Sequence, residues 1–226
     1  MNTLLIETAT PVCSVALAID GAIVDSRCSD APNAHSTQLP LFIHDLMPSH
    51  LDAVCVSSGP GSYTGLRIGV STAKGICYAL GIPLLSLPTP LSMATLYYMQ
   101  HPNYEGLVCP MIDARRMECY TMIAKRSAEG YAQTLRPIEA EVICAGTYDQ
   151  WLSYNTVAFI GNGAEKTRPL LEDRQGVLFD STFCVSAQGM LPHIGQLIGS
   201  PEDVAYFEPF YLKDFVAKKS VVHGLR

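Results

Sequence analysis

The sequence predicts an α/β protein of two tandem lobes, residues 1–101 and 102–226, each a mixed sheet flanked by helices. Three observations carry this prediction. Short apolar runs of strand length alternate with stretches of 3.6-residue periodicity along the N-terminal part. His101-Pro102-Asn103 then interrupts the chain, and strand-hairpin character returns after it. Most informative, the two halves begin alike. Ile6-Glu7 leads to Cys13 in a longer strand and on to Asp20-Gly21; Ile112-Asp113 leads, at the same spacing, to Cys119 and on to Glu129-Gly130. A repeat this long exceeds any solenoid unit and fits a duplicated α/β domain. With 226 residues, 48% of them hydrophobic, the chain has ample material for a buried core.

The elements follow in order. Leu4-Leu5-Ile6 is a short apolar strand. Cys13 to Ile19 and Ala22 to Cys28 are two strands joined at Asp20-Gly21, a hairpin signal. Leu39, Phe42, Ile43, Leu46 and Met47 mark one face of a helix, with Pro40 as a kink or a first-turn residue. Asp52 to Ser57 reads as a buried strand, followed by a glycine-rich loop and a helix over about Leu66 to Leu80. Ile82 to Leu87 is a strand and Thr89 to Gln100 a helix, with Pro90 suited to its first turn. In the second half, Leu107 to Asp113, Glu118 to Lys125 and Val157 to Ile160 read as strands. Helices are expected from Ala164 and over Ala187 to Ile198.

Composition excludes several classes. Lysine and arginine total 15 against 21 acids, a net charge of −6. A protein that grips nucleic acid by its overall charge would be basic, so any RNA contact must be local or belong to a partner. The eight cysteines are dispersed, several inside apolar runs such as Asp52-Ala53-Val54-Cys55-Val56, as thiols in a reducing compartment would be. No clustered pair suggests a zinc site. There is no basic stretch ahead of an apolar one at the N-terminus and no apolar run long enough to span a membrane, so a cytoplasmic protein without membrane contact is expected.

The residues that could carry chemistry form incomplete sets. The loop Ser57-Ser58-Gly59-Pro60-Gly61-Ser62-Tyr63-Thr64-Gly65-Leu66-Arg67 joins a strand to a helix, where backbone N–H groups can hold an anion. It lacks the Gly-Lys-Ser/Thr ending of a phosphate loop and the glycine spacing of a dinucleotide site. Gly59, Gly61, Ser62, Thr64, Gly65 and Arg67 are therefore candidate anion or nucleotide contacts, beside the alternative of a turn that needs glycine for backbone geometry and close packing. In the helix that follows, Gly65, Gly69 and Ala73 are spaced by four, and Leu66, Val70, Ala73, Cys77 and Leu80 step 4-3-4-3, a seam that suits either a partner helix or the protein's own sheet. Glu7 ends the first strand before Thr8-Ala9-Thr10, a weak match to the metal-phosphate acid of sugar-kinase and actin-like folds. Asp113 holds the equivalent place before Arg115 and Arg116, which favours ion pairing. Gly161-Asn162-Gly163-Ala164 is a second glycine turn. None of the six histidines forms a helical metal pair, no serine elbow is present, and the tail Lys213 to Lys219 is mildly basic.

Several segments together resemble the TsaB (YeaZ) family. They are Leu4-Leu5-Ile6-Glu7-Thr8-Ala9-Thr10, Cys13-Ser14-Val15-Ala16-Leu17, His35-Ser36 and, most specifically, Ser58-Gly59-Pro60-Gly61-Ser62-Tyr63-Thr64-Gly65-Leu66-Arg67-Ile68-Gly69. Asp113-Ala114-Arg115-Arg116 with Glu118 and Tyr120, and Pro209-Phe210-Tyr211-Leu212-Lys213, are similar to later signatures of that family. The resemblance is dense over residues 1–120 and thin over 130–200. It implies two actin-like (ASKHA, ribonuclease H-like) lobes and a part in adding threonylcarbamoyl to adenosine in the anticodon loop of tRNA. The part implied is that of a non-catalytic scaffold. It would form a homodimer alone, pair with the catalytic paralogue TsaD and work with the ATPase TsaE, while TsaC-type proteins supply the activated donor and tRNA is met only through the complex. The implied partner surface is His35, Leu39, Phe42, Ile43, Met47, Leu66, Gly69, Val70, Ala73 and Cys77. No cofactor is expected to be tightly bound, and ATP or ADP would sit at the partner interface. Glu7 stands where the family usually has Asp. An autonomous actin-like kinase or ATPase is the alternative reading; a peptidase lacks every residue set it would need.

Overall fold

The computed structural model describes residues 1–213, so the basic tail from Asp214 onward lies outside the described residues. The first sheet contains β1 (Asn2–Glu7), β2 (Cys13–Ile19), β3 (Ala22–Ser29), β4 (Ala53–Gly59) and β5 (Leu84–Pro88), in the order β3-β2-β1-β4-β5. β1, β2 and β3 form an antiparallel meander, and β4 and β5 extend it in parallel. The hairpin turn is made by Asp20 (φ 50°) and Gly21 (φ 82°), the left-handed pair that a two-residue turn requires. Helices α1 (Ala34–Thr37) and α2 (Leu39–Leu46) follow β3, α3 (Tyr63–Leu80) follows β4, and α4 (Thr89–Gln100) follows β5.

The second sheet repeats the plan. β6 (Leu107–Asp113), β7 (Glu118–Arg126) and β8 (Ala132–Val142) form the meander, and β9 (Val157–Ile160) and β10 (Val177–Asp180) add in parallel, in the order β10-β9-β6-β7-β8. The duplicated start legible in the sequence is thus a duplicated sheet topology. Its helices are shorter: α5 (Asp149–Leu152), α6 (Arg168–Leu171), a 3₁₀ stretch over Ala187–His193 and α7 (Ile194–Leu197). Where the apolar pattern predicts one continuous helix over 187–198, Pro192 lies inside it, and the first part winds as 3₁₀.

Each central strand is buried on both faces, and the pleat assigns its residues to two cores. Leu4, Ile6, Val54 and Val56 face outward to α2 and α3, against Leu39, Ile43, Leu46, Val70, Ala73 and Cys77. Leu5, Ala53 and Cys55 face the other way, onto Ala187, Met190 and Ile194 of the C-terminal helices. Conversely Met93, Ala94, Tyr97 and Tyr98 of α4 pack on Val108, Ile112, Met122 and Ala124 of the second sheet. The division at residues 101/102 therefore separates the two sheets but not the two packing units, because each half lends a helix to the other. The reason is coverage: α2 and α3 hide one face of the first sheet, and the other face is closed only by a chain segment from the second half. Sandwiched between, α4 is buried on nearly every side.

Contact between the exchanged helices is close. A Cβ on Gly189 would lie 2.2 Å from the Ser92 carbonyl oxygen and 3.0 Å from Leu96 Cβ. Nearby, Thr95 Oγ1 and His193 Nε2 are hydrogen-bonded at 2.8 Å, and burial pushes the His193 imidazole down to about 4. Finally the chain returns along lobe one. Glu202 N–H donates to the Leu84 carbonyl (2.8 Å), Lys74 Nζ donates to the carbonyls of Ala205 (3.2 Å) and Phe207 (2.9 Å), and Phe210 N–H donates to that of Ser58 (2.7 Å). Among the described residues, no helix is long and apolar enough to cross a membrane.

Gly189→Ala is expected to cost about 1–3 kcal/mol by overpacking the junction. Gly195→Ala, whose Cβ meets nothing within 4 Å, should be neutral or slightly stabilising. Urea midpoints of the two variants check this contrast.

Candidate functional site

The glycine-rich loop leaves β4 at Gly59 (φ 102°) and enters α3 at Ser62, whose Oγ caps the helix by accepting the Gly65 N–H at 3.2 Å. One side of it rests on the protein's own chain at Thr8 and Ala9. Ser62 N–H donates to the Ala9 carbonyl at 2.6 Å. A Cβ on Gly61 would come within 2.1 Å of that same oxygen, one on Gly65 within 2.1 Å of the Thr8 carbonyl, and one on Gly69 within 2.1 Å of Thr8 Oγ1. A Cβ on Gly59 would lie 2.9 Å from both Leu66 Cδ1 and the Phe210 carbonyl oxygen. Gly59, Gly61 and Gly65 are thus close-packing positions that let the β1–β2 loop seat against α3, while Gly61, Ser62 and Thr64 also line the cleft between the lobes. Ser62 is a cap. Thr64 and Arg67 reach the surface, with the Arg67 guanidinium 4.2 Å from the Tyr63 ring centroid and its Nε donating to the Tyr211 hydroxyl at 3.3 Å.

The expected partner surface is corrected. Leu39, Ile43, Leu66, Gly69, Val70, Ala73 and Cys77 are all buried in lobe one. A 4-3-4-3 step marks the inward side of a helix whatever it packs on, and here the small residues of α3 admit Thr8 rather than a second helix. His35 and Phe42 are half-buried, and His35 Nε2 has no hydrogen-bond partner among the described residues. Met47 alone of the set is exposed. The outward side of the same helices carries Leu41 (54% exposed), Ser71, Gly75 and Tyr78 (85%), which the seam leaves out, and Leu80, the last residue of the seam, is itself exposed (54%). The signal of this surface was present in the sequence as the apolar residues left over when the inward stripe is subtracted.

Between the lobes lies a cleft of about 890 Å³, walled by Thr10, Ser62, Tyr63, Arg115, Tyr120 and Lys213 among others. The two strand-ending acids differ in state, and of the two only Asp113 lines the cleft. Glu7 is fully buried. Its Oε1 accepts the Ala9 N–H at 2.7 Å, Oε2 has no hydrogen-bond partner among the described residues, and burial pushes the carboxyl up to about 7. Asp113 is partly exposed and ionised. Desolvation pushes it up but is outweighed by the Lys166 ammonium and the Arg115 N–H, so it lies below its ordinary value. The ion pair expected there from Arg115 or Arg116 comes instead from Lys166, which follows the Gly161-Asn162-Gly163-Ala164 turn, while both arginines adopt left-handed backbone (φ 70° and 50°) on the cleft wall. Lys213, at the end of the returning chain, pairs with Glu118 of the second lobe, and Tyr211 lies against Tyr63 with ring centroids 5.0 Å apart. Among the described residues no three His, Cys, Asp or Glu side chains converge as metal ligands.

The family model described as TsaD: tRNA N6-adenosine threonylcarbamoyltransferase matches residues 29–207. The tRNA threonylcarbamoyladenosine biosynthesis protein TsaB of Escherichia coli (strain K12) is 30% identical, over 98% of this chain and 98% of its own. The protein of the same name from Bacillus subtilis (strain 168) is 27% identical over 78% of this chain and 77% of its own. Among solved structures, YeaZ from Pseudomonas aeruginosa matches with a TM-score of 0.79 at 23% identity, covering 93% of this chain and 99% of that one; this likeness bears on the fold.

The buried Glu7 makes stability depend on pH. An unfolded glutamate loses its proton near 4.5, the folded one near 7, so between these values the native state holds a proton that the unfolded chain has released. Its contribution is most favourable below about pH 4.5 and falls by about 1.4 kcal/mol per pH unit as pH rises through the window. Glu7→Gln is expected to gain on the parent protein by about 3 kcal/mol between pH 5 and pH 8. Parallel urea-unfolding curves for the two proteins across that range would refute it.

Proposed function

The chain belongs to the TsaB family of tRNA threonylcarbamoyladenosine biosynthesis proteins, and we propose that in this synthesis it serves as a non-catalytic scaffold subunit. One observation carries the reading: the most distinctive segment of the chain, the glycine loop, is packed shut against Thr8 and Ala9. The loop then acts as a brace that holds α3 rigidly on its sheet and turns Ser71, Gly75 and Tyr78 outward with Leu41 of α2. We infer that this outer face, rather than the buried seam, receives the TsaD-type catalytic paralogue, and a second copy of the chain when the paralogue is absent. The exposed apolar side chains at positions 41, 78 and 80 support that assignment.

In this reading the TsaE ATPase joins the assembled pair, and tRNA is met through the complex, in keeping with the net charge of −6. Any adenine nucleotide of the assembly is assigned to the interface with a partner, since the glycine loop has neither the ending of a phosphate loop nor the spacing of a dinucleotide site. The competing reading, an autonomous actin-like kinase or ATPase, asks for an acid open to the cleft, and Glu7 is sealed from it. The purified chain is expected to turn over no ATP.

Ser71→Arg and Gly75→Arg place a long cation on the outer face without entering the core, as Gly75 has open space around its Cα. Each is expected to abolish co-elution with the TsaD-type partner in size-exclusion chromatography with mass detection, while the thermal midpoint of the free chain stays within a degree or two. An unchanged complex mass would overturn the assignment. Arginine at Val70 or Ala73, by contrast, would be driven into the core and unfold the lobe.

A further inference from the structure

Of the eight cysteines, Cys13, Cys55, Cys77, Cys109 and Cys119 are buried, while Cys28, Cys144 and Cys184 are exposed. Cys28 and Cys184 are far apart in sequence and adjacent in space. Cys28 lies on the edge strand β3, directly across from Ser14 of β2. The segment linking β10 of the second lobe to the 3₁₀ stretch on the first runs along this edge. There Ser14 Oγ accepts the Ala187 N–H (3.2 Å) and sits 3.5 Å from Ser186 Oγ, and Gln188 Nε2 donates to Ser26 Oγ (3.0 Å). Those bonds lay residues 186–188 beside residues 14 and 26, and the register carries Cys184 alongside Cys28, near enough for its thiol to act on that of Cys28.

We propose that Cys28 and Cys184 form a reversible redox clamp, a disulfide that closes with a small-molecule disulfide of the glutathione type as oxidant and locks the second lobe's return segment to the edge of the first. The exchange balances. One protein thiolate attacks a sulfur of the oxidant, breaking its S–S bond, releasing one reduced small thiol and leaving a mixed disulfide. The second protein thiolate then attacks the protein-side sulfur, forming the Cys28–Cys184 bond and expelling the second small thiol. Two protein thiols are oxidised, one small disulfide is reduced, and the two protons leave on the expelled thiols. An excess of reduced thiol runs the sequence backward, so the clamp stands open in a reducing compartment. Burial, with the neighbouring Cys184, pushes the Cys28 thiol up to about 11, so closure is slow near neutral pH and quickens as pH rises. Bond formation draws the sulfurs to about 2.05 Å, which rotation of the two exposed cysteine side chains must supply, since Phe183 and Val185 on either side of Cys184 are packed into the second core.

The clamp acts where the chain crosses between lobes. Hydrogen bonds already pin this crossing; a covalent bond would hold the 3₁₀ stretch and α7 against the first sheet, and with them the junction to α4.

The test uses the full chain in a buffer of oxidised and reduced glutathione, with peptide mapping by mass spectrometry without reduction. The expected result is a single linked peptide pair containing Cys28 and Cys184, with hydrogen exchange over residues 186–197 slowed about tenfold or more on closure. The linkage should form at least about tenfold faster in the folded chain than in urea, where the two thiols are rarely near each other. Cys28→Ser and Cys184→Ser should each abolish it and leave a glutathione adduct on the remaining thiol. Linkage through Cys13 or Cys144, glutathione adducts alone on the parent chain, or closure no faster than in urea would each overturn the proposal. Should the serine variants fold poorly, the parent chain's linkage map and rate comparison decide the matter alone.

Discussion

Everything in this molecule rests on the layer that its two lobes share. A mixed sheet whose central strands are apolar on both faces must be covered on both, and the helices that follow its own strands cover only the outer one. α4 and the Ala187–Leu197 segment solve this by exchange, each closing the inner face of the sheet built by the other half. The two then meet each other, backbone close to backbone at Gly189 and Ser92, with a buried Thr95–His193 hydrogen bond beside them. Neither lobe has a complete core alone. The relative placement of the sheets, and with it the cleft between the lobes, follows from how closely these two segments approach.

The same demand for close approach explains the glycine loop. A phosphate-binding loop keeps its glycines free so that N–H groups can turn to an anion. Here Thr8 and Ala9 lie against Gly61, Gly65 and Gly69, and each of these is glycine because a carbonyl or hydroxyl leaves no room for a Cβ. The consequence reaches the chemistry. Glu7 is drawn under the loop and out of water, where its carboxyl favours the neutral form, while its counterpart Asp113 stays ionised through Lys166. Two topologically equivalent acids have thus been committed to structural tasks, one by burial and one by pairing.

Much of the architecture was legible from residues alone. Asp20-Gly21 marked its hairpin because left-handed backbone needs such residues, and the acid-ended strands at Glu7 and Asp113 announced two sheets of one topology. The helix over 63–80 and the strand before it followed from periodicity and apolar content. The site was far less legible. Leu66, Val70, Ala73 and Cys77 form a seam that is correct in spacing and was assigned the wrong neighbour, since a stripe of apolar residues states that it is covered and not by what. Lys166, Tyr211 and Lys213 come to the cleft from distant parts of the chain, and nothing in their local sequence points there.

The sequence by itself thus determined the elements, their turns, the repeat and the family, because periodicity, turn residues and motif spacing are properties of single short segments. Tertiary structure decided which helix closes which sheet, that Gly61 and Gly65 admit the chain's own backbone and Gly69 the Thr8 hydroxyl, that Glu7 is sealed from water, and that Cys184 is brought alongside Cys28. Each of these is a relation between two surfaces remote in sequence. Its outcome depends on which pair of faces buries the most apolar area with fewest unpaired polar groups, and no single segment carries that information.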